Sequence, residues 1–224
     1  MHIGLESGLA GPIIPAILPP VEDAAMHTIL ILSAAILALG VVAFLLISRK
    51  MNGPRPVLPP ELRPGHPLPE FSALGEKGET VSSSDLRGAP AVILFVRGNW
   101  CPFCTRQVED LTRHYKDIVD LGAKLVLVTP KPLQTTRRVA EFFNVDFDFW
   151  LDESLAVIKR FGLVQSGAVP ADHRKEYGED TVWPTSLVVD GNGVIRYAHL
   201  SKFIFDRPQP ARLLGALRKI PTSG

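Results

Sequence analysis

Residues 91–104 read AVILFVRGNWCPFC. Ala91 to Val96 is a short, unbroken apolar run. That is the pattern of a strand buried on both faces, as in a parallel sheet. Arg97-Gly98-Asn99-Trp100 follows as a turn, and Cys101-Pro102-Phe103-Cys104 opens a helical pattern. Val108, Leu111, Tyr115, Ile118 and Val119 fall at helical spacing and predict one helix, with Gly122 as its C-cap. Further along, Lys124–Val128 reads as a second strand, Thr135–Phe143 as a helix, Phe147–Leu151 as a strand and Ser154–Phe161 as a helix. Ser186–Val189 and Val194–Tyr197 flank Asp190-Gly191-Asn192-Gly193, a strong hairpin turn. Pro210–Lys219 closes the pattern with a helix. Strands alternating with helices at this spacing predict an α/β class, a parallel-containing sheet covered by helices.

The chain's only two cysteines, Cys101 and Cys104, are three residues apart. A Cys-x-x-Cys pair at a strand-to-helix junction is a redox signature. Free backbone N–H groups and the helix dipole favour an anion there, so a thiolate at Cys101 is stabilised. Cys104, one turn on, is placed to resolve a mixed disulfide. Pro102 fits the first helical turn because its missing N–H needs no partner there. Two packing cysteines would need neither the Gly-Asn-Trp lead-in nor a helix start. A zinc site would need two more ligands, and the six histidines are scattered without pairing. Thiol chemistry of this kind calls for no metal and no organic cofactor.

The chain has 224 residues with 24 basic and 23 acidic side chains, so no overall field points to nucleic acid. Two cysteines are too few for a disulfide scaffold. The apolar excess sits near the N-terminus. Thr28–Ser48 is 21 residues without a charge, enough for a helix of ~30 Å across a bilayer. Arg49, Lys50, Arg55 and Arg63 follow it and no Lys or Arg precedes it, so the positive-inside rule predicts a cytoplasmic C-terminal domain. The alternative is an extracytoplasmic or periplasmic domain. Pro54 to Pro69 holds seven prolines in 16 residues, the composition of a semi-rigid spacer. The organisation expected is a segment 1–27, a single transmembrane helix 28–48, a linker 49–64 and a domain 65–220.

Several stretches together resemble the AhpC/TSA-type redoxins, the thioredoxin-fold, peroxiredoxin-like proteins. They are Gly65-His66-Pro67-Leu68-Pro69-Glu70-Phe71, Gly78-Glu79-Thr80-Val81, Ser84-Asp85-Leu86-Arg87-Gly88, Val96 to Cys104, Trp183-Pro184-Thr185 and Asp190 to Arg196. The resemblance covers about 155 residues, with the motifs in the family's order. It implies a thioredoxin-like fold, a central mixed sheet flanked by helices. It also implies roles for single residues. Cys101 and Cys104 are the catalytic pair and form the redox-active disulfide. Pro184 is a cis-proline facing them, its loop binding an extended substrate together with Trp183 and Trp100. Arg97 adds positive potential beside Cys101.

At two positions the chain departs from the family's pattern. Gly98 stands where peroxiredoxins place a Thr or Ser, and Pro184 where they carry an Arg. Those polar groups hold the peroxide oxygens. With Cys-Pro-Phe-Cys and a proline loop, the site is closer to thioredoxin, glutaredoxin and TlpA-like reductases. The leading expectation is a membrane-anchored thiol–disulfide oxidoreductase. It would act on a disulfide-bearing protein or small molecule and be reset by an external thiol reductant. The rivals are a peroxiredoxin-like thiol peroxidase and a non-catalytic, tethered binding module.

Overall fold

The apolar run that begins at Ala91 forms an interior strand of the sheet. The computed structural model describes residues 21–52, 57–131 and 146–221, with side chains over 25–49 in the N-terminal helix. The expected helix at Thr135–Phe143 lies outside the described residues. The chain divides into two units between Leu46 and Ile47.

Helix α1 runs Val21–Asn52, most of it in the first unit. It is longer than the predicted 28–48 because no proline interrupts the chain between Pro20 and Pro54. Ala25–Arg49 is long and apolar enough to cross a membrane, and none of it is buried. Ile36 and Leu37 are each 70% exposed.

The globular unit is built on a sheet whose strands, in chain order, are β1 (Ser72–Leu74), β2 (Thr80–Ser82), β3 (Ala91–Phe95), β4 (Lys124–Thr129), β5 (Asp148–Leu151), β8 (Thr185–Val189) and β9 (Ile195–Leu200). Their spatial order is β2-β1-β5-β4-β3-β8-β9. β3 pairs in parallel with β4, and β4 with β5. β8 runs antiparallel to β3, and β9 antiparallel to β8. A short ribbon, β6 (Val164–Gln165) with β7 (Thr181–Val182), stands apart from this sheet. The helices are α2 (Pro102–Arg113), α3 (Tyr115–Asp120), α4 (Ala156–Arg160), α5 (Arg174–Tyr177) and α6 (Pro210–Leu217).

Side chains of a strand alternate between faces, and β3 divides its apolar run between two cores. Ala91, Ile93 and Phe95 join Phe71, Trp150, Ile158 and Phe161 on one face. Val92, Leu94 and Val96 join Cys104, Val108, Leu111, Ile118, Leu213 and Leu217 on the other. A continuous apolar run is therefore what a strand covered on both faces needs. The thioredoxin-like fold expected from the sequence is the fold observed.

The helix expected to run unbroken to Gly122 is two helices. His114, at φ −109° and ψ 12°, leaves the helical region between α2 and α3. One turn earlier the Thr112 hydroxyl bonds the Val108 carbonyl at 2.9 Å, a contact that bends helices. Gly122 does close α3 as expected, at φ +68°, with its N–H on the Val119 carbonyl at 2.8 Å.

Helix α4 depends on a carboxylate. Asp152 is buried, and its two oxygens accept from the N–H groups of Val157 (3.2 Å) and Ile158 (3.0 Å). Asp152→Ala leaves both donors unpaired. It is expected to cost about 1–2 kcal/mol in urea unfolding, with Asp152→Asn costing less.

Candidate active site

Beyond β3 the backbone continues one step in register, Val96 N–H bonding the Val128 carbonyl at 2.9 Å. It then turns sharply at Gly98, whose φ of +129° is one that side-chain-bearing residues rarely adopt. A Cβ here would lie 2.6 Å from Cε1 of Tyr177 and 3.2 Å from Nε1 of Trp100. The Tyr177 hydroxyl donates to Asn99 Oδ1 at 2.6 Å and pins the turn from α5. The absence of a Thr or Ser three residues before Cys101 therefore has a steric cause. The ring of Tyr177 fills the place where that side chain would begin.

The turn delivers Cys101 to the N-cap of α2, with Pro102 at the first helical position. The Cys101 carbonyl accepts the first helical bonds, from Cys104 N–H (3.0 Å) and Thr105 N–H (3.1 Å). The Cys101 side chain takes no capping bond. Both cysteines are free thiols, and both are buried, Cys101 at 1% and Cys104 at 0% exposure. Trp100 and Phe103 pack against the same cluster.

A second arginine reaches the sulfurs from far along the chain. Arg207, in the loop after β9, sets Nη2 at 3.3 Å from Cys104 Sγ and 3.9 Å from Cys101 Sγ. The electrostatics follow from this contact. Burial opposes ionisation of Cys104. The hydrogen bond from Cys101, the charge of Arg207 and the Arg97 backbone N–H outweigh it and hold the pKa at about 5. Cys101 is pushed the other way, first by its hydrogen bond to Cys104 and then by burial. The two thiols are coupled and pulled in opposite directions, Cys104 down and Cys101 up.

The other expected site residues fall as follows. Arg97 is buried, donates from Nη2 to Gln165 Oε1 and lies 5.9 Å from the centroid of the Trp100 ring. Its charge acts on both sulfurs, and desolvation lowers its pKa. Trp100 stacks on His173 with centroids 6.3 Å apart. Trp183 is buried at 2% exposure, its N–H on the Leu163 carbonyl at 2.7 Å. The expected cis bond before Pro184 is corrected, since no peptide bond among the described residues is cis. The β8–β9 ladder runs on through the Pro184 carbonyl, which accepts Ser201 N–H at 2.9 Å and keeps the residue in line with the strand.

Sequence reasoning missed Arg207, Tyr177 and Gln165. Arg207 is 106 residues from Cys101 in the chain. It sits between Asp206 and Pro208 with no periodic pattern to single it out.

The family model described as "AhpC/TSA family" matches residues 64–198. The chain belongs to the AhpC/TSA family. The chloroplastic peroxiredoxin Q of Oryza sativa subsp. japonica is 25% identical over 158 residues, 70% of this chain and 65% of that protein's length. The thiol:disulfide interchange protein DsbE of Yersinia pestis is 27% identical over 180 residues, 79% of this chain and 86% of that protein. Among solved structures, peroxidoxin BcpB from Mycobacterium tuberculosis shares the fold. It has a TM-score of 0.57 at 20% identity, over 72% of this chain and 99% of that one.

The opposed shifts of the two thiols give this AhpC/TSA domain a pH signature. In the folded, reduced protein Cys104 is ionised above about 5. In the unfolded chain it holds its proton up to ~8.5. Between those values the unfolded state binds the extra proton, so stability rises with pH by up to about 1.4 kcal/mol per unit. Below the folded pKa the gain is gone. Cys101 acts oppositely, since its raised pKa removes stability as pH climbs past the ordinary thiol range. Urea unfolding of the reduced chain in detergent should show this rise, and the oxidised chain, with no thiol to titrate, should lack it.

Proposed function

We propose that the chain is a membrane-anchored thiol–disulfide oxidoreductase, with Cys101 attacking and Cys104 resolving. One observation carries this reading: two free thiols on the first turn of α2, with the Arg207 guanidinium on both sulfurs. Cys101 lies at the end of α2 next to exposed Pro102 and Asn99, whereas Cys104 lies one turn inward with no exposure. The substrate's sulfur therefore reaches Cys101 first.

In this reading Cys104, with its lowered pKa, is the thiolate of the reduced pair and serves as a base. As Cys101 attacks a substrate disulfide, its proton passes to the Cys104 thiolate. The substrate S–S bond breaks, a Cys101–substrate disulfide forms, and the departing thiolate takes a proton from water. Cys104 next gives up its proton and attacks the Cys101 sulfur. The second substrate thiolate leaves and is protonated. Two electrons have moved to the substrate, and the Cys101–Cys104 disulfide waits for an external thiol reductant. Cys101→Ser is expected to abolish turnover of a model protein disulfide, and Cys104→Ser to accumulate mixed disulfides visible on non-reducing gels. Full activity in Cys101→Ser overturns the mechanism.

The second reading is a peroxiredoxin-like peroxidase, favoured by the name of the peroxiredoxin Q relative. There Cys101 would become a sulfenic acid and Cys104 would condense with it, releasing water. Gly98 and Pro184 supply no polar side chain to hold a peroxide, which weighs for the reductase. Stopped-flow oxidation by peroxide separates the two: a rate no faster than that of an ordinary free thiol is expected.

Helix α1 would be the anchor. Arg49 and Lys50 at its C-terminal end support a cytoplasmic domain by the positive-inside rule. Protease added to intact cells should leave the domain whole and digest it only after lysis. Digestion in intact cells overturns the orientation.

A further inference from the structure

We propose that Arg207 is a catalytic residue of the thiol pair: its guanidinium, carried by the loop after β9, supplies the positive charge opposite the thiolate. This rests on the thiol–disulfide reading above and names a group for it that lies outside the Cys-x-x-Cys stretch.

The geometry separates this role from a structural one. Nη1 of Arg207 already bonds three oxygens of its own loop, Asp206 O at 2.8 Å, Ser201 Oγ at 3.1 Å and Ile204 O at 3.3 Å. The loop itself is clasped by Asp206. That side chain meets His199 Nε2 at 3.1 Å and the Lys202 N–H at 2.7 Å, and its carbonyl accepts the Ser201 hydroxyl at 2.6 Å. Nη2 is not needed to hold the loop, yet it is aimed at both sulfurs. Nε is buried with no partner among the described residues. An unpaired buried donor is unfavourable, so the placement is not the one that best satisfies the guanidinium.

Arg207 also lines a cavity of about 180 Å³ with Phe103, Gln107, Phe205 and Pro208. The cation thus borders both the sulfurs and a space beside α2. The other charged or titratable groups around the pair are Arg97 from the turn after β3, His173 on Trp100, Tyr177 on Asn99 and the His199–Asp206 pair behind the loop. Of these, Arg97 is engaged with Gln165. The contact is part-buried, so water screens this charge less than it would at an exposed surface.

The charge works on the reactions already balanced above and adds no atom to them. It favours the state in which one sulfur is ionised, and so the supply of thiolate at neutral pH. Three forms of the full chain in detergent test this: unaltered, Arg207→Gln and Arg207→Lys, each reduced and checked for fold by circular dichroism. Thiolate absorbance is titrated against pH, and disulfide reduction is timed at neutral pH and at about pH 10.

Arg207→Gln is expected to raise the first thiolate midpoint by more than about one pH unit. It is expected to slow reduction at least tenfold at neutral pH, with the deficit closing in alkali. Arg207→Lys, which keeps the charge, should recover most of both. An unchanged midpoint in Arg207→Gln overturns the proposal, and so does a raised midpoint with an unaltered neutral rate. If Arg207→Gln does not fold, Arg207→Lys decides: a midpoint near the unaltered one upholds the role, and a midpoint at the free-thiol value overturns it. Failure of the unaltered chain to reduce any disulfide would instead sink the oxidoreductase reading, and the titration would still report the charge.

Discussion

Two ionisable sulfurs lie beneath the sheet's apolar face, where water cannot stabilise a charge. That constraint organises everything near them. A thiolate in such surroundings needs a cation and hydrogen-bond donors of its own. The chain supplies them from three places: the thiol of Cys101, the backbone of Arg97 and the guanidinium of Arg207. The first two come with the strand–turn–helix unit itself. The third has to be carried in by a loop, and the Asp206 clasp with the bonds to Ser201 and Ile204 holds it there.

The sheet makes the burial possible. Because β3 is paired on both sides and covered on both faces, its end is a fixed point. The turn from Arg97 to Trp100 starts from that point, and α2 is aimed by it. Val108 and Leu111 then hold α2 on the same apolar face that receives Cys104. Positioning of the sulfurs is thus a consequence of packing, while their charge is set by the neighbouring thiol, the Arg97 backbone and one distant side chain.

Much of this was legible in the sequence. β3, β4, the β8–β9 hairpin, the helix start at Pro102 and the stop at Gly122 each carry a local signal: apolar run, turn residues, proline or glycine. The Cys-x-x-Cys pair stood out by its spacing. The break at His114 did not, because it falls inside an otherwise regular apolar pattern with no proline or glycine to mark it. The ribbon of Val164–Gln165 and Thr181–Val182 is two residues per strand, too short for any periodicity. Arg207 was invisible for a deeper reason. Its meaning lies in a contact spanning 106 residues, and no neighbour in the chain hints at it. The lowered pKa of Cys104 was also out of reach, because it depends on the contacts of Cys101, Arg97 and Arg207 that only the fold brings together.

The turn at Gly98 has a consequence for how this site can change over time. The space beside its Cα is already taken by the aromatic ring of Tyr177, and the backbone there is twisted into a conformation suited to glycine. A hydroxyl-bearing residue cannot enter at 98 by a single replacement. It requires a smaller side chain at 177 and a relaxed turn in the same lineage, and the first of these changes abandons the bond that pins Asn99. The two positions are therefore tied together, and a route from this site to one that cradles a peroxide passes through an intermediate that has lost the support of its turn.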